Sequence, residues 1–449
     1  MGAKDRALDT YAARRERLAR QLSRASGSVT LKKKNSNLFR DRERAGRPRL
    51  DVRDFNHILQ VDPAAGWVDA EGMVCYEDLV LATLTCGVMP TVVPQLKTIT
   101  VGGAVAGVGI EASSFRHGLV HHGVLELDIL AGDGNVYLCT PENEHRDLFF
   151  GFANSYGTLG YALRVRAQTI PAKKFVHIAH SRFDDPAAYF RGLQALCESS
   201  ADFVDGVVFG PQELYLTAGT FVDEAPFISD YTFEHIYYRS IQEKTSDYLT
   251  AHDFLWRWDT DWFWCSKNFG VQHPFIRRLA GPSRLNSRTY TRIMRWNSRW
   301  KLTRRIYALF GVKRESVIQD VDIPITAAAE FLAFLEREIG ILPIWICPIR
   351  SPDARPFPLY SLHPSTVYVN FGFWDVVKSG KAHIPGHFNR LIERKVAELG
   401  GIKSLYSDSY YSKPEFDSLY GAQAYRALKS RYDPQNRLHE LYDKCVLRK

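Results

Sequence analysis

Residues 100–114, TVGGAVAGVGIEASS, carry four glycines, Gly102, Gly103, Gly107 and Gly109, directly after a β-branched run. Glycine lacks a Cβ, so its backbone can approach a ligand closely and adopt φ > 0 without strain. A row of free N–H groups on such a loop suits the oxygens of a pyrophosphate. The chemistry expected here is the holding of a phosphate-bearing cofactor. A second glycine-bearing turn follows at Tyr156-Gly157-Thr158-Leu159-Gly160. The pattern Gly107-x-Gly109-x-x-Ala112 also fits a dinucleotide fingerprint, which needs a strand before it and a helix after it. Ser113, Ser114, Arg116, Gly118 and Gly123 give no apolar stripe at helical spacing. The acidic residue required about 20 positions on is offered only by Asp128 or Asp133, and Asp133 falls in a turn. The Rossmann reading is therefore weak.

The elements that must position these turns are readable around them. Strands are expected at 58–61, near Trp67, and at 123–129, 135–139 and 161–169, with helices at 76–86 and 144–154. Asp133-Gly134 marks a hairpin turn. Pro171 closes this unit, and from Lys173 onward longer helices and many aromatics indicate a different domain. A chain of 449 residues is long for one core, which also argues for two domains. Hydrophobic content of 45% with 24% charged residues is that of an ordinary soluble globular protein. The seven cysteines (75, 86, 139, 197, 265, 347 and 445) form no CxxC pair. That argues against a disulfide framework or structural zinc and for a reducing compartment. The best apolar run, 79–93, is broken by threonines, Gly87 and Pro90 and is too short to span a membrane.

The net charge of +8 is local in origin. Residues 277–314 are rich in Lys and Arg, hold no Asp or Glu, and interleave Tyr290, Ile293, Met294, Trp296, Trp300 and Tyr307. Such a segment can stack on nucleic acid, lie on an anionic membrane, or form a charged helical face over a core. No nucleic-acid motif accompanies it, so nucleic acid ranks last. Residues 7–24 alternate Leu8, Tyr11, Leu18 and Leu22 with arginines, a basic amphipathic helix rather than a signal peptide. It is expected either to pack one face on the body or to touch a membrane.

Residues 94–174 resemble the FAD-binding domain of the vanillyl-alcohol oxidase and p-cresol methylhydroxylase (PCMH) superfamily, and within it the delta-24 sterol reductase branch. The matching text is the TVGG-xxxGxGIExSS core, His117-Gly118-Leu119, His122, Ala131-Gly132-Asp133-Gly134, Gly157-Thr158-Leu159-Gly160 and Ile170-Pro171-Ala172-Lys173-Lys174. The likeness returns at Pro343-Ile344-Trp345-Ile346-Cys347-Pro348, at Leu405-Tyr406-Ser407-Asp408-Ser409-Tyr410, and at Leu441-Tyr442-Asp443-Lys444. It implies an α+β fold, with a two-subdomain PCMH-type FAD-binding domain and an α+β substrate cap. The expected division is an N-terminal helix at 1–26, the FAD domain at 27–175, the cap at 176–400, and a C-terminal segment at 401–449 that returns to the FAD domain. By resemblance Thr100, Val101, Gly102, Gly103, Gly107 and Gly109 line the pyrophosphate, Ser113 and Ser114 donate nearby, and Gly157, Thr158 and Gly160 lie by the ribose and adenine. The superfamily's first phosphate loop would fall at 36–40, which lacks glycine. Some members attach FAD through a histidine, which makes His117, His121 and above all His122 candidates against the commoner reading of satisfied core residues. The sterol reductases carry a membrane anchor. Here the N-terminal helix and the 277–314 segment are expected to replace it, on a cytoplasmic protein peripheral to the membrane.

What a reduced flavin can do sets the remaining requirement. An isolated C=C bond has no carbonyl to take up charge, so hydride transfer to one carbon needs an acid to protonate the other. Tyr406, Asp408 and Tyr410 are the candidate acids, and by period 2 they share one face of a strand. Trp264 and Trp345 are candidate aromatic walls, and Cys347 is grouped with them as substrate-binding. The expected function is an FAD-dependent reductase saturating a C=C bond in a lipid, either a sterol side chain or a methylene-branched acyl chain, with NADPH as donor. An FAD-dependent oxidase or dehydrogenase of an alcohol or sugar is the alternative, and a flavin-free basic binding protein the third reading.

Overall fold

The computed structural model describes residues 3–25, 27–36, 39, 46–300, 313–380 and 383–449. Helix α1 (Ala3–Ser23) buries Tyr11, Leu18 and Leu22 against Leu50, Phe55, Leu130 and Leu163. The Tyr11 hydroxyl donates to Asp128 at 2.7 Å, and Arg14 pairs with Glu71. This stripe is spent on the body of the protein, so the packing reading holds for it and these side chains are not available to a membrane. Strands β1 (Thr30–Lys32) and β2 (Arg49–Asp51) form a small parallel pair beside it.

The first large sheet is antiparallel. It contains β3 (Ile58–Asp62), β4 (Trp67–Glu71), β5 (Val88–Pro90), β6 (Val124–Leu130), β7 (Val136–Cys139) and β8 (Tyr161–Pro171), with β8 central between β4 and β6. Gly66 and Gly134, both at positive φ, close the β3–β4 and β6–β7 hairpins. Helix α2 (Tyr76–Thr85) leads from β4 toward β5.

The glycine-rich stretch differs from its expected form. Residues 95–99 are turns and bends, Thr100 makes only an isolated bridge to Cys75, and Val101–Ala106 is a short helix, α3. Its poor helix formers are held by tertiary bonds: the Val101 and Gly102 amides donate to the Val74 and Gly72 carbonyls at 2.9 and 3.0 Å.

The second sheet begins directly after β8. Its strands are β9 (Phe175–Phe183), β10 (Phe203–Gly210), β11 (Glu213–Val222), β12 (Ser246–Thr250), β13 (Lys313–Pro324), β14 (Ile344–Arg350), β15 (Val367–Ser379) and β16 (Ile402–Lys403), in the order β12-β9-β11-β10-β14-β15-β13-β16. Period-2 alternation gives this sheet two faces. Val204, Val208, Val317, Val321, Ile346, Val369 and Phe371 point to a core shared with helices α4 (Pro186–Cys197), α7 (Ala328–Phe334) and α8 (His387–Glu398). The alternate residues, including Val207, Trp345, Cys347 and Tyr368, join a core continuous with the first sheet. Between β12 and β13, helices α5 (Pro274–Ala280) and α6 (Ser287–Trp300) stand on a loop at 256–264. The chain ends on the first domain: helix α9 (Ala422–Tyr432) lays Leu428 against Gly151, and Lys429 Nζ donates to the Thr158 carbonyl at 3.0 Å. Helices and antiparallel sheets thus make an α+β fold, and no helix among the described residues is long and apolar enough to cross a membrane.

Candidate active site

A cleft of about 710 Å³ runs between the first sheet and the inner face of the second. That volume lies within the range of about 300–1,000 Å³ typical of small-molecule sites. Thr100, Gly102, Gly103, Gly107, Gly109, Gly157 and Gly160 line it, Ser316, Ile318, Asp320, Asp322, Trp345, Asn370 and Trp374 line it from the second sheet, and Tyr406 lines it from the turn after β16. Lys33, Arg47, Arg49 and Lys444 add cations. Backbone strain concentrates here. Of the seven non-glycine residues with positive φ among the described residues, four (Val108, Tyr156, Trp262 and Phe263) line this cleft. Such conformations are disfavoured for L residues, above all for β-branched Val108, and they cluster at ligand sites.

The reason for the glycines is partly other than expected. A Cβ at Gly102 would sit 3.0 Å from the Gly72 carbonyl oxygen, at Gly107 2.9 Å from the Gly103 oxygen, and at Gly109 2.9 Å from Pro94 and Val120. These glycines let the wall of the cleft pack closely on itself. The wall it makes, with cations beside it and aromatic surface beyond it, suits a ligand with a diphosphate and a flat ring system, so the residues present fit FAD.

Several expected contacts do not reach the cleft. Val101 and Thr158 are buried behind it, the latter with its hydroxyl on the Ser155 carbonyl at 2.8 Å. The Ser113 hydroxyl donates to the Thr91 carbonyl at 2.7 Å, and the Ser114 hydroxyl accepts the Glu111 amide at 3.1 Å. Both serines are therefore committed to holding the turn. The His122 ring packs on His121 and Phe357, takes the Leu119 amide on Nδ1 at 3.0 Å, and lies 3.2 Å from the Ser351 hydroxyl. Burial pushes it down to about 4, and none of His117, His121 and His122 lines the cleft. On the stretch 36–40, Ser36 and Phe39 do line it, while 37, 38 and 40 lie outside the described residues.

The expected Tyr-Asp-Tyr face is also taken apart. Only Ile402–Lys403 is strand, and residues 404–410 run as turns and irregular chain apart from an isolated bridge of Ser407 to Phe39, so period 2 does not apply. Tyr406 alone faces the cleft. Asp408 lies 3.4 Å from the Arg448 guanidinium, which also donates to the Tyr410 hydroxyl at 2.9 Å. Both are thus held beside the Arg448 cation and do not line the cleft. Trp345 lines the cleft, its indole N–H donating to Asp205 at 3.2 Å. Trp264 stands behind it, 5.5 Å from the Trp374 ring. Cys347 is buried with its thiol on the Glu111 carbonyl, and residues 301–312 of the basic segment lie outside the described residues.

Sequence reasoning missed the groups that stand in the expected place. Asp320 and Asp322 are two apart on β13 and both line the cleft. Tyr360 donates to Asp322 at 2.6 Å and Asn370 at 2.7 Å. Asp320 is hydrogen-bonded by Tyr406, whose hydroxyl accepts the Trp374 indole N–H at 2.8 Å, while Asp320 Oδ1 has no partner among the described residues. Burial pushes Asp320 up to about 7 and Asp322 to about 6, with their hydrogen bonds opposing the rise. Around them Phe263 lies 4.3 Å from Trp374 and 5.6 Å from Trp345, and Phe39 meets Tyr406 edge to face at 5.8 Å.

The comparisons agree with this architecture. Residues 15–140 match the family described as FAD binding domain. The Delta(24)-sterol reductase of Homo sapiens is 27% identical over 416 residues, covering 86% of this chain and 75% of that protein. The Delta(24)-sterol reductase of Pisum sativum is 24% identical over 344 residues, covering 69% and 57%. Cytokinin dehydrogenase 7 of Oryza sativa subsp. japonica is 34% identical over 150 residues, 32% of this chain and 28% of that protein. The chain therefore carries an FAD-binding domain and, over most of its length, is similar to the Delta(24)-sterol reductases.

Proposed function

We propose that this protein is an FAD-dependent reductase that saturates an isolated C=C bond in a lipid, with NADPH reducing the flavin and Asp320 giving the proton. The sterol reductase relatives favour a sterol side chain, and a methylene-branched acyl chain asks for the same chemistry. When bound, FAD supplies the hydride. The hydride and one proton together complete the two C–H bonds of the saturated product. A proton donor beside an apolar slot is the requirement, and Asp320 meets it. It is a half-buried carboxyl on the cleft wall, pushed up by desolvation to about 7 so that it keeps its proton near neutrality. A carboxyl that lines the cleft among aromatic rings and holds its proton is the observation that carries the reading.

Tyr406 and Trp374 position the carboxyl, and Tyr360 and Asn370 hold Asp322 beside it. The rings of Trp345, Trp374 and Phe263 present π surface to positive charge developing on the more substituted carbon. The similarity to a cytokinin dehydrogenase covers only 32% of the chain and does not outweigh this donor.

The test is anaerobic. NADPH is expected to bleach the flavin, and an unsaturated sterol in micelles to restore its colour. In Asp320→Asn bleaching persists, while reoxidation by the lipid falls by about 100-fold or more, the usual loss for a missing general acid. Reoxidation at the original rate in Asp320→Asn removes the acid assignment. Bleaching by alcohols but not by NADPH overturns the reductase reading.

A further inference from the structure

Helix α6 leaves apolar side chains uncovered, unlike an ordinary surface helix. Such helices bury their apolar stripe and show their charges to water. At 100° per residue, Tyr290, Ile293 and Met294 share one side of α6 and Arg288, Arg292 and Arg295 the other, with Trp296 next to Arg292 at the border. Two of the arginines, themselves exposed, reach back to the protein: Arg288 pairs with Glu77 on α2, and Arg295 donates to the Ser36 carbonyl. On the apolar side only Tyr290 is buried; Ile293 is exposed, Met294 is exposed at the edge of the cleft, and at the border Trp296 is 55% exposed.

The neighbouring helix repeats the pattern. On α5, Phe275, Ile276 and Leu279 lie on one face, with Phe275 71% and Leu279 74% exposed. Arg277, between them in sequence, is buried in a two-point bond to Asp261 at 2.7 and 2.9 Å. Both helices are pinned to the same short loop, α5 by that Arg277–Asp261 bond and α6 by Tyr290, which donates to the Thr260 carbonyl at 2.9 Å, and by the Ser287 amide, which donates to Asp259 at 3.3 Å. Phe269 stacks on Tyr290 at 5.4 Å and joins them. The exposed apolar side chains thus sit on a rigid base.

We infer that α5 and α6 form a docking face for an anionic lipid bilayer, through which lipid substrate enters the cleft. Charge complementarity selects this occupant. From 277 to 314 there is no acidic residue, and Arg278, Arg284 and Arg292 are exposed around the apolar side chains. Exposed large apolar groups rimmed by arginine match an interface of acyl chains and lipid phosphates. Continuity with the cleft is the second argument. Met294 on α6 and Phe269 and Trp262 beneath it line the cleft. A lipid drawn from a bilayer at this face would then pass along apolar surface to Asp320. The entry route rests on the lipid-reductase reading; the docking itself does not.

The test uses the FAD-loaded protein and sedimentation with phosphatidylcholine vesicles, with and without phosphatidylserine. The wild type is expected to bind the phosphatidylserine vesicles and to lose that binding as salt rises. Phe275→Ser combined with Leu279→Ser should weaken binding by about tenfold or more, while turnover on micelle-dispersed lipid is kept. Equal binding by wild type and variant, or no binding by the wild type, overturns the proposal. So does a wild-type dimer that the double substitution converts to monomer, because a second copy would then cover the face. Vesicle binding without any lipid-driven flavin reoxidation leaves the docking face standing and removes the reductase reading instead.

Discussion

Asp320 and Asp322 share a strand face, but their hydrogen bonds differ in kind. Asp322 receives Tyr360 and Asn370, one on each oxygen, whereas Asp320 keeps one oxygen unshared. Both carboxyls are held above their usual range by burial, at about 7 for Asp320 and about 6 for Asp322. In the unfolded chain each titrates near its ordinary value of about 3.9. Between roughly pH 4 and 7 the folded protein therefore binds more protons than the unfolded one, and stability falls as pH rises. The contribution is full below the unfolded value and is lost through about 7. Urea unfolding from pH 5 to 8 should show this decline, and Asp320→Asn should flatten it by an amount on the order of a few kcal/mol. A variant curve parallel to the wild type would mean a hydrated carboxyl and would remove it as the acid. In sequence these residues look unremarkable. Val317, Val321 and Ile323 alternate with Ser316, Asp320 and Asp322, the usual pattern of a strand with one wet face. Only the first sheet, folded over that face, makes it dry, and one strand's text does not carry that fact. Tyr406 was legible because its motif resembled the family. Asp408 and Tyr410 were misplaced because period 2 was applied to a chain that is not extended there.

The register of three strands decides whether these side chains meet. Asp320 on β13 stands opposite Gly372 on β15, which in turn stands opposite Trp345 on β14. A Cβ at Gly372 would lie 2.8 Å from Asp320 Oδ1 and 2.8 Å from the Trp374 ring. Glycine inside a strand weakens it and marks a close approach, and here the approach is between the acid and an indole. Gly372→Ala is expected to push Trp374 from its bond to Tyr406 while the sheet still forms. Lipid-driven flavin reoxidation should fall by about tenfold, on the scale of 1.4 kcal/mol, with NADPH bleaching unchanged. Wild-type reoxidation in this variant would show that the Trp374–Tyr406–Asp320 arrangement does not need to be so tight. The hairpins of the first sheet were readable from Asp133-Gly134 and from alternating strands. Helix α3 was not, because Val-Gly-Gly-Ala-Val-Ala has almost no helical signal and its form depends on bonds to Gly72 and Val74.

At the scale of the molecule the two sheets must hold a fixed distance, since one presents the glycine-lined wall and the other the acid. A buried ionic cluster spans them. Arg257, fully buried, donates to Glu111 just after the glycine-rich stretch at 3.1 Å and to Asp205 on β10 at 2.7 Å. Asp205 also takes the Trp345 indole N–H, so the cluster orients a ring on the cleft wall. Two carboxyls facing one guanidinium cannot both be ionised cheaply in a dry interior. Burial accordingly pushes Glu111 up to about 7, against the pull of Arg257. Removing the cation would strand both acids. Arg257→Leu is expected to cost about 3–5 kcal/mol and to lower the thermal midpoint more at pH 8 than at pH 6, because Glu111 then has to ionise without a partner or stay neutral against the solution. Adding Glu111→Gln and Asp205→Asn should restore much of the loss, since the buried site no longer holds charge. A single variant as stable as the wild type at both pH values, or a triple variant no better than the single, would show that the two sheets are held by their apolar core alone.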